Sequence, residues 1–176
     1  MLHFRAILLL SLLLTSCEGE HYNAPVDQPL FFEYHYINFA WAHQDFGWLI
    51  DNEGSIRRFD FPVDYRHGVH GEYLSLEDLE YNLDQTDSII GTVEAGGMEK
   101  YIDYIPGAAR GELEESRSVG ADMGGATLAC YRYDPAEDAY QYVLLELKGD
   151  WEQLNLSSEA ETLVKWLSGL CPDYLY

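Results

Sequence analysis

Basic residues are scarce in this chain: its 176 residues carry 10 Lys and Arg against 31 Asp and Glu, for a formal net charge of −21. So anionic a body repels phosphate backbones and anionic headgroups, which excludes nucleic acid and leaves cations, cationic partners and neutral glycans. Motifs that carry a mechanism are lacking as well. There is no G-x-S-x-G, no H-E-x-x-H, no phosphate-binding P-loop and no dinucleotide fingerprint, so the sequence assigns no catalytic residue and no cofactor. The nearest approach, "GADMGG" from Gly120 to Gly125, has the wrong spacing and reads as a flexible loop. No apolar run reaches the roughly 20 residues that a membrane-crossing helix needs. Repeats of solenoid period and low-complexity tracts are absent too.

What the chain does have is aromatic residues, with 14 Tyr and 4 Trp in a composition that is 47% apolar. Disordered acidic segments combine high charge with few aromatics, so this chain is predicted to fold, as one domain with a sizeable core.

From Leu30, "LFFEYHYINFAW" alternates Phe32, Tyr34 and Tyr36 against Glu33 and His35, the period of a strand. "FGWLIDNEGSIRRFDF" sets two apolar runs either side of Asp51-Asn52-Glu53-Gly54, where Gly54 can supply the positive φ that closes a hairpin. Ser75 followed by Asp78 marks the N-cap of a short helix through about Leu83. Met98, Tyr101, Ile102 and Ile105 place a second helix over 97–105, stopped by Pro106-Gly107. "ATLACYRYD" and "AYQYVLLELKGD" form a second hairpin across 134–138. Ser158 with Glu161 reads as a capping box opening a last helix, with Gly169 at its C-cap. That order predicts an α+β fold: an antiparallel sheet of two hairpins plus an N-terminal strand, with helices packed on one face.

Upstream of the domain the residues have a different character. His3 and Arg5 precede an apolar stretch, Ala6 to Leu14, broken only by Ser11, and then Leu14-Thr15-Ser16-Cys17. This is the layout of a secretory signal, and "LTSC" resembles the lipobox of bacterial lipoproteins. The resemblance implies that residues 1–16 are a signal peptide cut before Cys17. It also implies that the Cys17 thiol carries a diacylglycerol and the new amino group a fatty acyl chain such as palmitate. Two or three chains hold a protein stably on a bilayer where one does so only marginally. Residues 17–29, with Pro25 and Pro29, read as a tether and residues 30–176 as the domain. The alternative is a plain secreted protein whose Cys17 is free or disulfide-bonded. Glu18 and Glu20 resemble surface-export signals of some Gram-negative lipoproteins. The body, over residues 31 to 168, is similar to small uncharacterised lipoproteins of Gram-negative anaerobes, a likeness that imports no activity. The expected location is the cell envelope, on the periplasmic or surface face of the outer membrane.

Candidate sites are few. With Cys17 acylated, Cys130 and Cys171 either pair, contributing about 3–4 kcal/mol through the unfolded state, or remain thiols. His67, His70 and Glu72 in "RHGVHGEY" are candidate metal ligands, with Asp64 or His43 as a fourth group, although Gly68 and Gly71 make that segment pliable. Asp45, Asp51, Asp60 and Asp64 are candidate carboxylate pairs across the first hairpin, or simply a solvated face. Tyr34, Tyr36, Trp41 and Trp48, with Tyr131, Tyr133, Tyr140 and Tyr142 on the second hairpin, either fill the core or stand as an exposed platform for a sugar or a protein. The leading expectation is an envelope lipoprotein with a non-enzymatic binding domain, its partner a glycan or an envelope protein. The alternative is an envelope hydrolase acting on glycan or peptidoglycan through a carboxylate pair or a metal.

Overall fold

A computed structural model describes residues 22–170; the expected signal peptide, Cys17 and Cys171 lie outside them. The fold is α+β, and every strand pairing is antiparallel. Strands β1 (Leu30–Asn38), β2 (Gln44–Asp51) and β3 (Ser55–Asp60) are followed by β4 (Tyr73–Leu74), helix α1 (Leu76–Asp84) and β5 (Ser88–Thr92). Helices α2 (Ala95–Ile102) and α3 (Ile105–Ala109) lead to β6 (Arg117–Ser118), β7 (Gly125–Asp134), β8 (Ala139–Gly149) and β9 (Trp151–Leu154). Helix α4 (Ser158–Leu170) ends the described chain. The sheet order is β5-β3-β2-β1-β7-β8-β9-β6, with β4 also on β8. It has nine strands where five were expected. The additional ones are runs of five residues or fewer, too short to register as a period.

Both faces of this sheet are covered. On one face Phe32, Tyr34, Trp48, Ile50 and Leu128 pack with Met98 of α2, Ile105 of α3, and Leu163 and Leu167 of α4. On the other, Leu49, Phe59, Ala129, Tyr131 and Leu144 pack with Tyr65 and with Leu79 of α1. The expected one-sided helix layer is thus corrected, because β2 from Gly47 to Asp51 is buried residue after residue and needs cover on each side.

The second cover is a strap, residues 61–72, fastened to α1. Buried Asn82 donates Nδ2 to the Arg66 carbonyl (2.9 Å) and accepts the Arg66 N–H on Oδ1 (2.8 Å). The strap continues along β8, where the Gly71 and Tyr142 amides donate to Tyr142 and Glu72 carbonyls. Two glycines do not make it slack: Gly68 lies so close on the Tyr142 ring that a Cβ there would overlap it.

Local signals hold in part. The α1 capping box is present, Asp78 N–H donating to Ser75 Oγ (3.1 Å) and Ser75 N–H to Asp78 Oδ2 (3.0 Å). Gly54 takes φ 79° in its turn. Pro106 does not stop a helix: it sits in the first turn of α3, where its missing N–H costs nothing. The cap of α4 is Ser157, whose Oγ accepts from Ala160 N–H (3.1 Å), rather than Ser158, and Gly169 lies within the helix. Residues 22–28 of the expected tether pack on the domain. Tyr22 OH accepts from Tyr133 N–H (2.5 Å), Tyr22 N–H donates to Asp103 Oδ1 (3.0 Å), and Gln28 is fully buried, donating to the Leu30 and Tyr131 carbonyls.

Candidate functional site

The strand period that exposes a polar face in most half-buried sheets here turns Glu33 and His35 inward. In β1 they lie on the strap-covered face, Glu33 between Leu49 and Ala129 and His35 between Gly47 and Thr127. Gly47 leaves the space opposite His35 that the Phe59 ring fills, edge-on to the imidazole at 5.0 Å. Glu33 and His35 are 2% and 3% exposed. Such groups are retained in a core only when partnered.

His35 Nε2 meets Asp45 Oδ1 at 2.6 Å, and Nδ1 faces Glu33 Oε1 at 3.7 Å. Glu33 Oε2 accepts from the hydroxyls of Tyr65 (3.0 Å) and Tyr131. His67 of the strap stacks on His35 at 5.0 Å, 13° from parallel. Burial alone would depress the His35 pKa, but the hydrogen bond to Asp45 and the nearby Glu33 carboxylate prevail and raise it to about 9. At neutral pH it is therefore an imidazolium held by two carboxylates. Burial first, and then the Glu33 charge, push the Tyr65 and Tyr131 phenols well above their usual range, so they stay protonated donors. Burial lowers His67, and the charge on His35 lowers it further, which leaves a neutral ring.

This cluster forms the floor of a cleft of about 680 Å³. The Gly124–Gly125 turn forms one wall, His67, Gly68 and Tyr142 another, and Phe39 and Trp151 stand at the rim, 75% and 53% exposed. The "GADMGG" segment is ordered by its neighbours: Met123 N–H donates to Asp150 Oδ1 (2.8 Å), and Asn38 Nδ2 to the Asp122 carbonyl (3.2 Å). Volume and lining are those of a small-molecule site.

The expected site residues are distributed differently. Tyr34 and Trp48 are buried, stacked on each other at 5.7 Å under the helices, although Tyr34 and Tyr36 line a second, smaller cavity of about 250 Å³. Tyr36 is half-buried on that same face, packed on Phe46, while Trp41 is exposed in the β1–β2 loop. These four do not form one platform, because strand alternation puts Tyr34, Tyr36 and Trp48 together on the covered side. His67 and His70 do not converge either: His70 Nδ1 accepts from Leu144 N–H (3.1 Å) while His67 lies on His35. Among the described residues no three of His, Cys, Asp or Glu stand together as a metal site.

The four aspartates are separated in the same way. Asp45 holds His35; Asp51 caps its turn through Glu53 and Ser55 amides and binds Arg57 Nε (2.5 Å); Asp60 pairs with Arg58 (2.9 Å); and Asp64 lies in the exposed strap at φ 54°. Cys130 is a buried core thiol whose pKa burial drives up. Its expected partner Cys171 lies outside the described residues. Glu33, His35, Tyr65, Phe39 and Trp151 are the groups that sequence reasoning passed over. The available signal was the Glu33-x-His35 spacing itself, which places two titratable groups side by side on one strand face.

No known protein family, curated protein or solved structure matches the chain. No described helix is long and apolar enough to cross a membrane.

Proposed function

We propose that this chain is a cell-envelope lipoprotein, held on the membrane by acyl chains on Cys17, whose α+β domain binds a ligand in the cleft above Glu33 and His35 without turning it over. The carrying observation is that the imidazole on the cleft floor is already committed. Both His35 nitrogens face carboxylates and Glu33 Oε2 takes two tyrosine hydroxyls. A general base has a free lone pair directed at its substrate, and His35 has none. Of the aspartates across the first hairpin, Asp45, Asp51 and Asp60 each hold a different cation or imidazole.

The anchor is tested by palmitate labelling in the native host beside Cys17→Ala. Label on the membrane-bound wild type and its loss from the variant are expected; unlabelled mature protein in the aqueous fraction overturns the anchor. The domain is tested by incubating the protein with envelope glycans and peptidoglycan, with and without chelator. No product is expected, and product that Glu33→Gln or His35→Asn abolishes would establish a hydrolase instead.

A further inference from the structure

The cleft selects by charge, and its lining says for which sign. Among the described residues that line it there is no Lys or Arg. The nearest basic neighbour along the chain, Arg117, is turned to Glu152 (2.7 Å). Its one cation, the His35 imidazolium, is outweighed by Glu33 and Asp45 beside it and by Asp150 in the wall. An anionic ligand would meet this field unneutralised.

A neutral polyol fits poorly for a different reason. Sugar hydroxyls need several free donors and acceptors, and two polar side chains of the cleft are spent. Asn38 donates to the Tyr36 hydroxyl and the Asp122 carbonyl and accepts from Ala40 N–H, and Thr127 Oγ1 donates to the His35 carbonyl. Two carboxylate oxygens remain open. Glu33 Oε1 has no hydrogen bond, its nearest nitrogen being His35 Nδ1 at 3.7 Å, and Asp150 bonds Met123 N–H through Oδ1. Carboxylate acceptors without a Lys or Arg beside them, in a cleft whose lining includes the rings of Phe39, His67, Tyr142 and Trp151, suit a cation that carries N–H groups.

We propose that the cleft binds an organic ammonium ion, its N–H groups directed at Glu33 and Asp150 and its carbon body against Phe39 and Trp151. This rests on the cleft being the ligand site. Primary and secondary amines are preferred over quaternary ones, which stack but cannot donate to Glu33 Oε1.

The full-length chain in a non-ionic detergent micelle is titrated with tryptamine, with its uncharged counterpart tryptophol, with indole-3-acetate and with chitotetraose. Binding is read by calorimetry and by the amide resonances of Gly68, Gly124 and Gly125. Tryptamine is expected to bind at least tenfold tighter than tryptophol, to move those three amides, and to weaken as salt is raised, while indole-3-acetate does not bind. Trp151→Ala and Ser116→Lys, both at the exposed rim, should each weaken tryptamine about tenfold with the fold intact. Glu33→Gln should remove the preference for amine over alcohol. Equal binding of tryptophol, or tighter binding of chitotetraose, at those amides overturns the ammonium assignment and leaves the cleft as the site. No response of those amides to any of the four overturns both.

Discussion

The two faces of the sheet are built on opposite principles. Under α2, α3 and α4 the contacts are apolar rings and branched chains, including the Tyr34–Trp48 stack and Trp166 lying flat on Tyr101 at 4.0 Å. Under the strap and α1 an equally buried layer encloses a carboxylate, an imidazolium and two phenols, and beside them the packing opens into a cleft. A buried ion pair is weak as a source of stability compared with apolar packing of the same volume. The helix face thus carries the packing that holds the fold, and the strap face carries the buried charges and the cleft.

That division can be broken most forcefully on the helix face. Trp48→Ala should cost about 4 kcal/mol, from lost burial and the cavity left behind. Chemical denaturation measures it, and a loss under about 1 kcal/mol would dissolve the distinction. On the strap face the largest effect is one of pH. His35 has a folded pKa raised to about 9, above its ordinary 6.5, so its contribution is full below 6.5 and is lost as pH rises through 9. The loss amounts to about 3 kcal/mol. Denaturation at pH 6 and pH 9.5 tests it, with His35→Asn flattening the dependence; an imidazole titrating near 6.5 by NMR would refute it.

Smaller changes sharpen the contrast. Gly47→Ala should cost about 2 kcal/mol by driving a methyl into the Phe59 ring and the Tyr34 carbonyl, and should shift His35 resonances more than those of Trp166. Asn82→Ala should cost about 1–2 kcal/mol, with hydrogen exchange accelerating at Arg66 to Gly68 and not in α4. Trp151→Ala, at the rim, should change stability by less than about 0.5 kcal/mol. A larger melting shift would mean that this ring serves the fold.

How far the sequence was legible follows the same line. Where a rule is local it held: the period of β1, the turn at Gly54, the Ser75–Asp78 cap. Where two local rules compete it slipped by a residue, as with Ser157 against Ser158, or took the wrong branch, as with Pro106 opening a turn it was expected to close. The α+β class was legible; the second cover was not, because a strap of 12 residues without repeating apolar spacing announces no face. Glu33 and His35 were hidden for that reason. In a strand, polar residues at every second position mean solvent unless something distant covers them, and Tyr65, His67 and Leu79 are more than thirty positions away from Glu33.

Tyr22 is pinned at the Leu30 end of β1, against Tyr133 and Asp103, while the cleft opens toward the Asn38 end, about 27 Å along the strand. Only five positions separate Tyr22 from Cys17, a reach of about 18 Å at full stretch. Under the anchor proposed on Cys17, a span that short would keep this pole toward the lipid and leave the Asn38 end, with its cleft, on the far side of the domain.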